Sequence, residues 1–154
     1  EALQAKVKNT QSADDVDTSQ YAAVFFPGGH GTMWDYPDNP TLAKIITDTL
    51  GANKPVAAVC HGPAVLVGVK DENGEPLVKG RNVAAFTDAE EEAVGLTNEV
   101  PFLLETRLRE LGANVITVDN FEPHSVVDGL LVTGQNPASA APVAADVIKL
   151  LEQK

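Results

Sequence analysis

Ala58-Val59-Cys60-His61-Gly62 sets the chain's one cysteine beside a histidine, between an apolar run and a Gly-Pro pair. The form is small–x–nucleophile–x–Gly, the spacing of a sharp strand-to-helix turn that pushes a nucleophile out at the top of a sheet. Small residues two positions either side let the backbone close that turn without clashes. A helix starting directly after it offers free N–H groups and the positive end of its dipole. In that setting a thiol is expected to ionise below its usual value of about 8.5, in the range of roughly 3.5–7.5. The commoner fate of a lone cysteine in a strand is simple burial, but a core cysteine has no need of His-Gly-Pro as neighbours. His61 is then the candidate base or ion partner, and it needs a carboxylate to fix its tautomer. Glu90-Glu91-Glu92, after the third expected strand on the same side of the sheet, offers three candidates. Their alternative use is to favour a helix N-terminus.

Pro27-Gly28-Gly29-His30-Gly31 ends a neighbouring strand. Its Gly-Gly lets a backbone N–H point into the strand-end crevice. With the N–H after Cys60 this makes a two-donor oxyanion hole, or else the segment is a plain turn. It is neither a dinucleotide loop, lacking the GxGxxG spacing, nor a P-loop, lacking Gly-Lys-Ser/Thr. His30 and His124 read as surface or rim residues. Three scattered histidines and one cysteine form no ligand cluster, so no metal is expected. Trp34 and Tyr36 read as a lid or packing cap.

The elements that position these residues follow from apolar patterning. Tyr21–Phe26, Pro55–Cys60, Asn82–Phe86 and Ala113–Val118 are short apolar runs, the pattern of strands buried on both faces. Pro40–Leu50 is expected as a helix with Leu42, Ile45, Ile46 and Leu50 on one stripe and Gly51 at its end. Residues 61–69 read as a helix entered abruptly. Residues 98–111 read as another, capped by Thr97 and stopped at Gly112. Ser125–Gly134 carries a hairpin signal at Asp128-Gly129, favouring a type I′ turn. The last helix starts near Pro137–Pro142 and runs through Val143, Val147, Leu150 and Leu151. Alternating strands and helices imply an α/β layer architecture with a mostly parallel sheet, whose ligands gather at the carboxyl ends of the strands.

The chain has 154 residues, which suits one α/β domain: a polar lead-in over 1–20, a frayed helix or linker, and a core over 21–154. The net charge of −11 argues against nucleic acid or an anionic membrane as partner. No apolar run approaches the ~18 residues of a membrane span, and no secretory leader is visible. One cysteine excludes an internal disulfide framework and any CxxC motif. A cytoplasmic location is expected.

VFFPGGHGTMWDYPDNP, KPVAAVCHGPAVLVGV and LVTGQNPASA, in this order, resemble the ThiJ/PfpI superfamily, relatives of the parkinsonism-associated deglycase. Within it they are most similar to the heat-inducible chaperone and glutathione-independent glyoxalase III branch, over about residues 15–152. The resemblance implies a three-layer α/β sandwich of the flavodoxin-like, class I glutamine-amidotransferase-like kind. It implies Cys60 as nucleophile, His61 as its partner and Glu91 as the acid of the triad, with Glu90 and Glu92 as one-residue slips. It implies an oxyanion hole from the backbone N–H groups of Gly29 and His61. The implied activity is conversion of a small dicarbonyl, methylglyoxal, to D-lactate through a cysteine hemithioacetal, as a lyase of the D-lactate dehydratase class, with no cofactor and no metal. Alternatives within the resemblance are a holdase chaperone, a cysteine redox-sensing stress protein and a protein deglycase. A homodimer is the expected assembly. The family opens with a strand–helix–strand unit bearing a glutamate that protonates or deprotonates at the cysteine and, with His61 as a candidate partner, moves the proton between the two substrate carbons; no residue here matches that glutamate. The unit is therefore expected to be missing from this chain, and a separate N-terminal fragment of the same protein is a candidate partner.

Overall fold

A computed structural model describes residues 5 and 7–153. Its strands are β1 (Val24–Phe26), β2 (Val56–Val59), β3 (Asn82–Val83), β4 (Asn114–Val115), β5 (Ser125–Asp128) and β6 (Leu131–Gly134). Its α-helices are α1 (Thr32–Asp35), α2 (Pro40–Gly51), α3 (Asp88–Ala93), α4 (Leu104–Glu110) and α5 (Ala140–Glu152). The main sheet runs β1-β2-β6-β5, parallel except for the antiparallel β5–β6 hairpin. β3 and β4 pair in parallel as a separate two-stranded sheet.

β2 shows why the molecule is layered. All four of its residues are buried. Val56 and Ala58 face a core shared with Ile45 and Ile46 of α2, and Ala57 and Val59 face Val143 and Val147 of α5. Successive side chains of a strand point to opposite faces, so a continuously apolar strand needs a helix on each side. This is the α/β sandwich with a mostly parallel sheet that the sequence implies. Asn39 starts α2, its side chain accepting from Thr41 N and Leu42 N, with Pro40 in the first turn. Among the described residues no helix is long and apolar enough to cross a membrane.

Several expected elements come out shorter or different. Of the lead-in, residues 1–4 and 6 lie outside the described residues; Ala13–Asp15 and Thr18–Gln20 form single 3₁₀ turns. Residues 61–69 are a 3₁₀ turn over Gly62–Leu66 rather than a full helix, with Val67 already extended. Only residues 104–110 of the expected helix 98–111 are α-helical, and Leu103, not Thr97, is its N-cap. Pro101 accounts for this: it has no N–H and pushes Val100 out of the α region. The expected strands 82–86 and 113–118 pair over two residues each. Beyond Val83 the chain makes isolated bonds: Ala84 N–H donates to Thr133 Oγ1 (2.8 Å) and Phe86 N–H to the Cys60 carbonyl (2.9 Å). In the hairpin Asp128 pairs with Leu131, leaving a Gly129-Leu130 loop in which only Gly129 has positive φ (+61°). Glycine at the first loop position is the type II′ pattern, not type I′.

Candidate active site

Cys60 follows β2 directly and has φ = +63°, a left-handed conformation rare for a side-chain-bearing residue. Two backbone bonds hold it there: its N–H donates to the Gly134 carbonyl and its carbonyl accepts from Phe86 N–H, both at 2.9 Å. The turn is as tight as the small-residue pattern requires. A Cβ on Gly62 would stand 2.3 Å from the Phe26 carbonyl oxygen, and one on Gly28 would stand 2.6 Å from that of Val59. The loop after β1 is therefore pressed against the turn after β2, and the two glycine-bearing strand ends form one corner.

His61 lies in that corner, 1% exposed, its ring 4.3 Å from that of Phe86. Its Nδ1 is 3.4 Å from the Cys60 sulfur and its Nε2 is 2.8 Å from Glu91 Oε2. A carboxylate oxygen accepts, so Nε2 carries the proton and the Nδ1 lone pair faces the sulfur. Burial pushes the His61 pKa below its usual value, outweighing the upward pull of the Glu91 hydrogen bond. Burial likewise pushes the Cys60 thiol up, to about 11. The backbone N–H groups of His61 and Gly29 at the sulfur pull the other way, and the negative charges of Glu90 and Glu91 add to the rise. The low thiol pKa expected from the motif is thus reversed. Cys60 is 8% exposed, the following segment is a 3₁₀ turn with a proline in its first turn, and the charges that act on the thiol are the carboxylates of Glu90 and Glu91. Both shifts favour a neutral thiol beside a neutral imidazole over a thiolate–imidazolium pair.

The three glutamates have three different environments. Thr87 caps α3 in a capping box: its Oγ1 accepts from Glu90 N–H and Glu90 Oε2 accepts from Thr87 N–H, each at 3.0 Å. Glu90 Oε1 accepts from Phe121 N–H (2.7 Å), Asn136 Nδ2 (2.9 Å) and Gln135 Nε2 (3.2 Å). Glu90 thus ties three chain segments together. Glu91 turns toward the corner, and Glu92 is exposed. The Thr87-x-x-Glu90 spacing is the sequence signature of this cap, and reading it would have separated Glu90 from its neighbours.

Glu91 also accepts from a second ring: His30 Nε2 is 2.7 Å from its Oε1, and the two imidazoles lie 4.1 Å apart, centre to centre. The histidines are therefore not all scattered. His30, His61 and Glu91 bring potential ligand atoms within 4.8 Å of one another, close enough to hold a metal, but here both rings are hydrogen-bonded to the carboxylate. His30 was legible only as a rim residue because its partner is 61 positions away. His124 is elsewhere, its Nε2 buried without a hydrogen-bond partner among the described residues. Trp34 is 57% exposed, and Tyr36 packs edge-on to Phe26, so of the two only Tyr36 acts as a cap. The corner opens onto a cavity of about 430 Å³ lined by Gly29, His30, Cys60, His61 and, on the apolar side, Phe86 and Phe121.

Residues 2–150 match the model of the DJ-1/PfpI family. The chain is 38% identical to "Glyoxalase 3" of Candida albicans over 152 residues, 95% of this chain and 64% of that protein. It is 35% identical to the "Glutathione-independent glyoxalase HSP31" of Saccharomyces cerevisiae over 154 residues, 96% and 64%. The chain thus spans just under two thirds of these relatives. The crystal structure of glyoxalase III from Candida albicans superimposes with a TM-score of 0.85 at 38% identity, covering 92% of this chain and 62% of that one. The 24 kDa rapid encystment protein of Francisella tularensis superimposes with a TM-score of 0.93, also at 38% identity, covering 98% and 67%.

Proposed function

The chain belongs to the DJ-1/PfpI family, and on that premise we propose that it is a glutathione-independent glyoxalase that converts methylglyoxal to D-lactate on Cys60. Relatives named as glyoxalases at 35–38% identity support the reading. The observation that carries it is the line Glu91–His61–Cys60, at 2.8 and 3.4 Å, ending at a cavity of about 430 Å³.

The sulfur attacks the aldehyde carbon of methylglyoxal while its proton passes to His61 Nδ1. The carbonyl oxygen takes up negative charge, facing the backbone N–H groups of Gly29 and His61, and is then protonated by the His61 imidazolium. The product is a hemithioacetal. Glu91 holds His61 in the tautomer that accepts at Nδ1 and stabilises the imidazolium while it exists. The raised thiol pKa fits this order: the thiolate forms only when a carbonyl is there to receive it, and the dry corner makes every hydrogen bond to the developing charge stronger. Moving the C1 proton to C2, and the proton of the C1 hydroxyl to the C2 oxygen, then turns the hemithioacetal into the thioester of lactate. Water hydrolyses the thioester, returning the thiol and lactate with no external thiol consumed.

The test is D-lactate formation from methylglyoxal without glutathione, with and without Cys60. Cys60→Ser is expected to lower the rate by at least roughly 1,000-fold while circular dichroism and melting temperature stay as in the parent. Retained D-lactate formation in that variant overturns the proposal.

A further inference from the structure

We propose that His30, His61 and Glu91 form a zinc site, and that zinc held there shuts off turnover by fixing His61 in the wrong tautomer; the effect on turnover rests on the glyoxalase reading, the binding does not. The donor set is two imidazole nitrogens and a carboxylate, a set that holds zinc in open, three-ligand sites. His30 Nε2 and His61 Nε2 converge on Glu91, at 2.7 and 2.8 Å, with their ring centres 4.1 Å apart. The ligand atoms of the three residues lie within 4.8 Å of one another. Ligands about 2.1 Å from a tetrahedral zinc stand roughly 3.4 Å apart, so each hydrogen-bonded pair need open by less than about 1 Å to admit the ion.

His30 is the ligand that can make this adjustment. Its side chain is 36% exposed, against 1% for His61 and 3% for Glu91, and glycines flank it. A Cβ on Gly29 or Gly31 would meet nothing within 4 Å, so the loop has open space on both sides of the histidine. Charge favours the metal as well. Glu90 and Glu91 are both buried, and the charge of each acts on His61. The donors to Glu90 are two groups of Thr87, the Phe121 N–H and the side-chain amides of Gln135 and Asn136, all of them neutral. Buried charges are stabilised by an opposite charge or a metal ion. A dication between the two rings puts positive charge where both carboxylates act.

The consequence follows from the tautomer. Zinc binds a nitrogen lone pair, and a neutral imidazole carries one such nitrogen and one N–H. With Nε2 of His61 on zinc, the ring proton stands on Nδ1, the nitrogen 3.4 Å from the Cys60 sulfur. Nδ1 then donates, and it cannot receive the thiol proton that the attack on the aldehyde releases. The nitrogen that Glu91 holds protonated for the reaction is the one zinc claims. Each ring gives its Nε2 proton to solvent and takes one from solvent at Nδ1, so the protons balance and zinc stays divalent. Sulfur is not a ligand in this arrangement, because the metal sits at the opposite nitrogen of the His61 ring.

The test adds zinc ion to the parent protein and to His30→Gln, His30→Ala and Cys60→Ser. Binding is read by competition with a fluorescent chelator, and the His61 tautomer by nitrogen NMR of the imidazoles. Turnover is read as D-lactate formation relative to each protein's own metal-free rate. Saturating zinc is expected to move the His61 proton from Nε2 to Nδ1 and to lower parental turnover by roughly 100-fold or more. Cys60→Ser should bind zinc within about threefold of the parent, and both His30 variants at least roughly 10- to 100-fold more weakly. His30→Gln keeps an N–H for Glu91 but offers zinc an amide in place of an imidazole, so it separates metal binding from folding. Equal binding by the parent and His30→Gln overturns the proposal. Loss of binding in Cys60→Ser also overturns it, because zinc would then be held by sulfur, and so does a His61 proton that stays on Nε2 with zinc bound. An undiminished D-lactate rate at saturating zinc overturns the inhibition. No D-lactate from the metal-free parent overturns the glyoxalase reading, and the binding and NMR results still decide the zinc site.

Discussion

The surroundings of Glu90 and of Cys60 both bury polar groups at the same end of the sheet, and they treat them in opposite ways. Glu90 is fully buried and its two oxygens accept from two groups on Thr87 and from Phe121, Gln135 and Asn136. One of those partners, Phe121, is a non-glycine held at φ = +64°. Around Cys60 the hydrogen bonding is sparser. One sulfur in a strained turn faces one imidazole, Glu91 divides its oxygens between two rings, and a cavity lies alongside. A saturated buried carboxylate rigidifies the chain around it. Partly paired groups beside a cavity, on a strained backbone, leave hydrogen-bonding capacity free, which the proposed reaction uses. The difference teaches that burial does not separate a structural carboxylate from a chemical one; the number of donors already on it does.

The same substitution at neighbouring positions breaks or sharpens that contrast. Glu91→Gln keeps the shape but puts an amide N–H₂ where one imidazole must donate, so His61 or His30 loses its tautomer. D-lactate formation is expected to fall by roughly 1,000- to 10,000-fold, with unfolding in urea shifted by no more than about 1 kcal/mol. Turnover within tenfold of the parent would erase the distinction on the Cys60 side. Glu90→Gln should act the other way. Its amide must face donors on one side or the other, leaving buried N–H groups unpaired. The expected loss is about 3 kcal/mol of stability in urea unfolding, with turnover per folded molecule lowered less than tenfold. Unchanged stability would show that the five donors are satisfied without the charge.

The contrast also marks where sequence reading reaches and where it stops. The turn at Cys60 and the two apolar strands before the glycines are local patterns, and residues 24–26 and 56–59 follow them. Tight spacing and burial do not reveal the sign of a pKa shift, because that depends on what surrounds the sulfur in space. Hence the motif implied a depressed thiol pKa, whereas burial and two carboxylates raise it. His30 and Glu90 are further cases of the same kind. Their partners lie 61 and 46 residues away, and no periodicity carries that information. Thr87-x-x-Glu90 was legible in principle, but a run of three glutamates hides which one belongs to the cap. Residues 98–103 went wrong for a local reason, since the apolar stripe continues through Pro101 and the helix does not.

The smallest expected effect is on stability at the ends of the pH range, and it bears directly on whether the Cys60 corner rests neutral. The thiol is raised from 9.0 to about 11 in the folded state. Between those values the folded protein holds a proton that the unfolded chain releases, so rising pH favours unfolding. The contribution is fully present below pH 9, amounts to a loss of about 1 kcal/mol by pH 10, and should vanish in Cys60→Ser. His61 is shifted the other way, below its usual 6.5. The unfolded chain therefore takes up its proton first as pH falls, and stability present above pH 6.5 declines below it. Urea midpoints measured across pH 5 to 10 should give a plateau bounded by these two declines. A resting thiolate–imidazolium pair predicts different edges. A thiol held below its usual value would lose stability as pH falls through the thiol's folded-state pKa, and an imidazole held above its usual value would keep stability below pH 6.5 and lose it above. A plateau with those edges would mean that the sulfur is charged before any carbonyl arrives, and the order of steps proposed for Cys60 and His61 would have to be inverted.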